Sequence, residues 1–232
     1  MPDENIQNEV IEKFSFSDSI LAYIVDPQKE DLRFFYKKKN GELIGNAGQL
    51  RDYLSANGAE LIFAVNGGMY TRSQAPQGLY IEENQLIAPL DTQSSGYGNF
   101  YLQPNGIFYL TNTGIPYIRT TSAFRQDKAI RFATQSGPML LIDGYFHPKI
   151  RKGSSNLHIR NGVGVLPDGR VVFAMSKKRI NFYDLALFFK NLGCENALYL
   201  DGFVSRTYLP EQDWEEVDGD FGILIGVVKK RK

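Results

Sequence analysis

Cysteine occurs once in the 232 residues, tryptophan once and histidine twice. A single cysteine excludes an internal disulfide and any thiolate zinc cage. Cys194 itself lies in an apolar stretch and reads as a small buried hydrophobe rather than a nucleophile. With His147 and His158 alone, a histidine-rich metal centre is excluded and a Ser-His-Asp triad is disfavoured. No window reaches ~18 consecutive apolar residues, so no segment reads as a membrane-spanning helix. Neither sign of charge is in excess, with 26 Lys plus Arg against 26 Asp plus Glu. That balance argues against a dedicated nucleic-acid binder, which carries a basic surplus, while leaving room for a local arginine cluster around one phosphate. The stretch from Met1 to Val10 is polar and acidic and lacks the apolar core of a signal peptide. The expected location is therefore periplasmic or extracellular if a leader has been removed, and cytoplasmic otherwise. Internal repeats, low-complexity tracts and Ser/Gly linkers are also missing, so residues 1–232 read as one domain. The phosphate-loop, zinc-peptidase, nucleophile-elbow and dinucleotide signatures are absent.

Aromatic residues, in contrast, are abundant at 13%, with 16 Phe and 13 Tyr beside 22 Gly and 10 Pro. That mixture points to many strands and turns rather than a helical bundle. Strands are expected at Phe14 to Val25, Leu32 to Tyr36 and Leu61 to Val65, the last apolar enough for burial on both faces. Short strands follow at 79–81, 86–87, 100–102, 107–110, 130–133 and 139–142, separated by tight turns such as Glu83-Asn84. Pro167-Asp168-Gly169 joins 163–166 to 171–175 as a hairpin, and further strands fall at 197–200 and 223–228. Two helices are expected: Ala47 to Asn57, stopped by Gly58, and one capped by Asn181, running through Leu192 to Gly193. The fold class is thus α+β, a strand-rich domain with a mixed or antiparallel sheet and two main helices.

With only two histidines and one cysteine, chemistry must rest on carboxylates, amides, arginines and backbone. Four constellations put such residues where a buried apolar strand ends. Asn66-Gly67-Gly68-Met69-Tyr70 follows the 61–65 strand, and its paired glycines suit either a nest of backbone N–H groups around an anion or a plain sharp turn. Gln135-Ser136-Gly137-Pro138 offers an amide and a hydroxyl that need partners, met by a ligand or by the turn itself. Arg160-Asn161-Gly162 precedes the 163–166 strand and supplies a bidentate fork for phosphate or carboxylate, or an exposed ion pair. In an extended segment His158 faces the same side as Arg160. Asp201-Gly202 closes the 197–200 strand, a position where burial and nearby charge tune a carboxylate. Glu82, Asp91, Asp143 and Asp184 are candidates for a second carboxylate, and spacing selects none of them.

In order along the chain, Asn66-Gly67-Gly68-Met69-Tyr70, Pro76-Gln77-Gly78, Gln135-Ser136-Gly137-Pro138, Arg160 with Gly164, and Leu200-Asp201-Gly202 with Ser205 resemble the motifs of the phosphodiester glycosidase family. They cover about residues 60–207, and the ending Asp201-Gly202-Phe203-Val204-Ser205-Arg206 is similar to a shorter bacterial branch. Phe203 stands where longer members carry glycine, and Met69 where an aromatic is usual.

The resemblance implies a hydrolase that cuts the anomeric C–O bond of a sugar-1-phosphodiester, giving free sugar and a phosphomonoester. It implies Asp201 as the catalytic carboxylate, with Asn66 and Arg160 beside it and Arg160 on the phosphate. Gly67 and Gly68 would offer N–H groups and Arg131 further charge. Asn66, Gln135 and Ser136 would hold sugar hydroxyls, and Tyr70 would stack on the ring. Gln77, Gly202 and Ser205 complete the expected substrate contacts. The expected partner is a small-molecule or glycan phosphodiester, with a cell-envelope setting and the subunit number open. No cofactor is required, although a divalent cation, Mg²⁺ or Ca²⁺, fits an oxygen-rich site. Two other classes suit the same residues: a non-catalytic carbohydrate-binding or envelope domain, and a metal-dependent phosphodiesterase that cuts P–O.

Overall fold

The computed structural model describes residues 19–201 and 204–231, with Asp201 described by its backbone alone. Gly202, Phe203 and the 14–18 part of the first expected strand lie outside the described residues. Sixteen strands are found among the described residues: β1 (Ile20–Val25), β2 (Asp31–Phe35), β3 (Ala59–Asn66), β4 (Tyr80–Glu82), β5 (Gln85–Ala88), β6 (Gly106–Thr111), β7 (Pro116–Thr120), β8 (Ile130–Ser136), β9 (Met139–Ile142), β10 (Tyr145–Phe146), β11 (Asn161–Val165), β12 (Val171–Ser176), β13 (Ala197–Asp201), β14 (Thr207–Leu209), β15 (Trp214–Glu215) and β16 (Leu224–Lys230). The helices are α1 (Ala47–Ala56) and α2 (Phe182–Asn191).

The strands pair antiparallel in three sheets, ordered β1-β12-β11-β13-β9-β10, β15-β14-β3-β16-β2 and β5-β4-β8-β6-β7. Their inner faces meet in one aromatic core, which accounts for the surplus of Phe and Tyr. Tyr23 of β1 stacks on Phe63 of β3 at 4.4 Å, and Phe63 meets Phe173 of β12 at 5.3 Å. Phe34 of β2 packs on Phe108 and Phe132 of the third sheet at 5.6 and 5.3 Å. Each buried ring contributes about 1.5–3 kcal/mol relative to exposure, so these contacts hold the three sheets against one another.

The helices cover outer faces. Asn46 caps α1, its side chain accepting from the Gln49 N–H at 2.8 Å, and Leu50 and Leu54 pack on Leu61, Ala64 and Leu224 of the second sheet. Asn181 caps α2 as expected, accepting from the Asp184 N–H at 3.0 Å. Leu185, Phe188 and Phe189 then pack on Leu140, Val172 and Tyr199 of the first sheet. Gly58 and Gly193 follow the helices with φ of 73° and 81°, the left-handed geometry that stops a helix.

Two expectations are corrected. The apolar run 100–102 is a 3₁₀ turn, Asn99–Tyr101, with Phe100 buried edge-on to Tyr101. The strands β7, β10, β14 and β15 went unseen. The first opens on Pro116 at a sheet edge, the position proline tolerates, and the others are two or three residues long, too short to show a period of two.

Candidate active site

The three sheets bring the ends of β3, β8 and β13 and the start of β11 to one junction. Asn161, first in β11, lies opposite Asp201, last in β13. Its side-chain N–H donates to the backbone carbonyl of Asn66 at 3.0 Å and to Asn66 Oδ1 at 3.2 Å. Asn66 is the last residue of β3 and is fully buried, and its Oδ1 also accepts the Arg206 N–H at 2.8 Å. Ser136, last in β8, donates its hydroxyl to the carbonyl of Leu200 at 2.7 Å, which fixes the backbone directly before Asp201. One strand from each sheet is thereby tied to the others by buried side-chain hydrogen bonds, each stronger here than in water.

Beside this knot lies Arg160, wholly buried. Nε donates to the carbonyl of Ile180 at 2.9 Å, one terminal nitrogen to the Tyr199 hydroxyl at 3.3 Å, and the other to the Asn156 carbonyl and Oδ1 at 2.9 and 2.8 Å. The guanidinium lies 3.7 Å from the centre of the Phe182 ring. Every acceptor is neutral, and among the described residues no carboxylate forms an ion pair with it. Burial pushes its pKa below the ordinary arginine value, yet a guanidinium stays charged, so an uncompensated positive charge sits in the interior. Two buried hydroxyls, Ser205 Oγ and Thr134 Oγ1, find no hydrogen-bond partner among the described residues.

Asn66, Gly67, Gly68, Ser136, Arg160, Ser205 and the backbone of Asp201 thus come together, but not all in the expected manner. Neither Gly67 nor Gly68 has positive φ, so the paired glycines are not a nest. Gly67 gives its N–H to the carbonyl of Ile223 at 2.8 Å, and a Cβ there would sit 2.8 Å from Ile223 Cγ2. A Cβ on Gly68 would collide with Thr134 Oγ1 and come within 2.8 Å of the Gln135 carbonyl. Glycine is demanded at 67 by Ile223, just before β16, and at 68 by the close approach of the chain to β8. Gln135 is buried on the other face of β8 with its amide saturated. Its Oε1 accepts from Leu79 and Asp91 N–H at 2.9 and 3.0 Å, and Nε2 donates to the Asp91 carbonyl and Thr121 Oγ1 at 2.7 and 3.1 Å. It has no capacity left for a sugar hydroxyl.

Arg131 is outside the site. It lies five residues from Ser136 along β8, roughly 17 Å in an extended strand, and forms a two-pronged pair with Glu83 at 2.8 Å. Tyr70 is half-buried against Gly222 and the outer cluster of the second sheet. Gln77 donates its N–H to the Met69 carbonyl at 2.8 Å and bonds Tyr101 through its side chain. His158 is exposed whereas Arg160 is buried, so the two do not share a side. Among the second-carboxylate candidates, Glu82 belongs to the far half of β4, hydrogen-bonded by Tyr80 and with its pKa raised by burial. Asp143 follows β9 in an exposed turn, Asp184 opens α2, and Asp91 braces Gln135. Cys194 is buried, its thiol pushed up to about 12 by burial, which leaves it inert.

Asn161, Tyr199, Asn156 and Arg206 belong to the junction and were not singled out in the sequence. Asn161 had a signal, its place beside Arg160 at a strand start; Tyr199 acts through its hydroxyl, Arg206 through its backbone N–H and Asn156 from an exposed loop, partnerships that no local pattern announces. Two surface clefts, about 370 Å³ beside Tyr117, Leu166 and Glu195 and about 400 Å³ beside Arg51, Ile62 and Arg231, lie at the opposite ends of β11 and β3. Among the described residues no three His, Cys, Asp or Glu side chains gather as a metal site.

Residues 59–221 match the model of a family described as phosphodiester glycosidase. The chain is 41% identical over 192 residues to the uncharacterized protein YigE of Escherichia coli (strain K12), covering 82% of this chain and 74% of that one. The catalytic domain of zebrafish N-acetylglucosamine-1-phosphodiester α-N-acetylglucosaminidase, auto-inhibited by its pro-peptide, has a similar fold: TM-score 0.61, 12% identity, 90% of this chain and 81% of that one. A hypothetical protein from Synechocystis also superimposes, with TM-score 0.58 and 14% identity over 90% of this chain and 59% of that one.

Proposed function

The chain belongs to the phosphodiester glycosidase family, and on that footing we propose that it hydrolyses the anomeric C–O bond of a sugar-1-phosphodiester. Water adds to the anomeric carbon, the C–O pair leaves with the phosphate, and the products are free sugar and a phosphomonoester. The observation that carries the reading is the buried charge of Arg160, held by neutral acceptors only. A charge in that state is stabilised by an incoming anion. The exposed Asn156 lends it two carbonyl oxygens at 2.9 and 2.8 Å, an arrangement that two phosphate oxygens can replace like for like. The departing phosphate is already stable as an anion, so charge stabilisation matters more than protonation.

Asp201 takes the second role, as the nucleophile on the anomeric carbon or as the base for water. Asn66 and Asn161 orient it through the ends of β3 and β11. Ser136 acts as a positioning residue through the Leu200 carbonyl, and the unpartnered hydroxyl of Ser205 is free to meet a sugar oxygen. If a hard cation assists, Asp201 with these side-chain oxygens is the donor set it would find.

The test is phosphorus NMR of the purified protein with UDP-GlcNAc in ¹⁸O-labelled water, with and without EDTA. Label in the sugar and an unlabelled phosphate product support the proposal. Label in the phosphate overturns it in favour of P–O cleavage, and loss of turnover in EDTA identifies a cation requirement. Binding without turnover on several diesters, abolished by Arg160→Ala, would instead mark a non-catalytic carbohydrate-binding domain.

A further inference from the structure

Acid is missing from one part of the surface. Residues 144–167 and 169–183 contain no Asp or Glu, although the chain as a whole is balanced at 26 against 26. Asp168, the one carboxylate between them, is taken by Arg170 at 2.7 Å. Within these stretches Arg151, Lys152, His158, Lys177, Lys178 and Arg179 are all exposed. Among the described residues none of them forms an ion pair with a carboxylate.

Backbone pairing sets His158 and the segment Lys177, Lys178 and Arg179 beside Arg160. The β11–β12 ladder continues past its last regular rung, where the Ser176 N–H donates to the Arg160 carbonyl at 2.8 Å and the Arg160 N–H to the Ser176 hydroxyl at 2.9 Å. It resumes at His158 and Ile180, which bond each other at 3.1 and 2.9 Å. Lys177, Lys178 and Arg179 form the three-residue bulge between those rungs. Arg151 and Lys152 lie five and four residues before Asn156, which covers the guanidinium of Arg160. Lys177 rests 5.5 Å over the Trp214 ring, and Glu216, which reaches that indole, is engaged by it at 3.0 Å and by the Thr207 N–H at 3.1 Å. Glu216 is also paired with Arg206 at 3.7 Å, and among the described residues it forms no ion pair with the cations of this lip.

We infer that the substrate is a polyanionic chain, carrying further phosphates beyond the scissile diester, and that those phosphates lie on the rim formed by Arg151, Lys152, Lys177, Lys178 and Arg179. The inference rests on the proposed function only for placing the scissile diester beside Arg160. The two stretches of rim, 149–158 and 177–180, contain no Phe, Tyr or Trp, and the Trp214 ring beside them is covered by Lys177, so they offer little for nucleobases to stack on. Recognition is by charge alone, which suits a sugar–phosphate chain.

The experiment is fluorescence anisotropy with labelled inorganic polyphosphate and, separately, labelled poly(dT) of matched charge, using the full chain. A rim variant (Arg151→Ala, Lys152→Ala, Lys178→Ala, Arg179→Ala) is compared with a control lacking four other exposed cations (Lys39→Ala, Lys128→Ala, Lys229→Ala, Lys230→Ala). The rim variant is expected to bind polyphosphate at least about 10-fold more weakly and with a shallower salt dependence, as fewer counterions are released. The control is expected to stay within about 2-fold of the parent by the same argument. Equal losses in both variants overturn the inference, as does tighter binding of poly(dT) than polyphosphate by the parent. The diester assay separates the two readings. Polyphosphate binding at the rim without any hydrolysis sinks the proposed function alone, and C–O hydrolysis with an unresponsive rim sinks this inference alone.

Discussion

Gln135 and Ser136 are neighbours on β8 with opposite fates. The four-bonded amide of Gln135 braces the 79–91 segment, so Gln135→Leu leaves several buried backbone groups without partners. The expected loss is about 3 kcal/mol or more in urea unfolding; a raised KM at unchanged stability would restore Gln135 to the substrate. Asp201→Asn should do the reverse, abolishing C–O hydrolysis while the thermal midpoint stays within a few degrees, and retained turnover would remove Asp201 from the chemistry. His147 supplies a pH test. It is buried, Nδ1 accepts the Lys149 N–H at 3.1 Å, and burial lowers its pKa below the ordinary 6.5. As pH falls below that value the unfolded chain takes up a proton that the folded chain refuses, so stability is lost on the acid side. His147→Phe should flatten the fall in thermal midpoint between about pH 7 and 5.5; an unchanged slope would assign it to other groups. Placement at strand ends was legible here: that Asn66, Arg160 and Asp201 stand where buried strands begin or end could be argued from the sequence. Their partners were not, because a saturated amide and an open one look alike in a sequence.

At the level of elements, what is local could be read and what is distant could not. Both helices were found at close to their true bounds because cap, apolar face and closing glycine lie within a dozen residues of one another. Asn181→Ala should cost about 1 kcal/mol in chemical denaturation, because the Asp184 N–H loses its acceptor; no change would show that water serves equally well. The hairpin at Pro167-Asp168-Gly169 was legible for the same reason, with Gly169 at φ 88°. That β13 ends against both β11 and the hydroxyl of Ser136 was not, since those residues lie 40 to 65 positions apart and no short-range pattern links them. Ser136→Ala tests the link: kcat should fall about 10-fold or more through misplacement of the β13 end, with KM little changed and partial rescue by Thr. A pure stability loss at constant kcat would make the bond structural only.

Across the whole molecule, the motif-bearing stretch from about 60 to 207 is not self-sufficient. β1 forms an edge of the first sheet on β12, and β16 lies between the central strand β3 and the edge strand β2 in the second. Neither strand carries a recognised motif, so the motif-bearing segments were legible in the sequence while the strands that close the sheets around them were not. Removing residues 223–232 would take the ladder partner from β2 and β3 together and expose Ile225 and Val227 neighbours in the aromatic core. The truncated chain is expected to lose its cooperative thermal transition; a sharp transition within a few degrees of the parent would refute this account of the second sheet.

The crowding around Gly67 and Gly68 bears on how such chains diverge. Their side-chain-free backbone is required by the neighbouring strands, whatever the junction does chemically. A descendant that had given up hydrolysis would still be selected to keep the pair, and a search keyed to it would gather active and inactive chains alike. Arg160 is under the opposite pressure. Once no anion visits, nothing rewards an isolated charge in the interior, and an apolar replacement of similar size becomes favourable. Among descendants of such a fold, the residue at 160 would record whether the reaction had been retained.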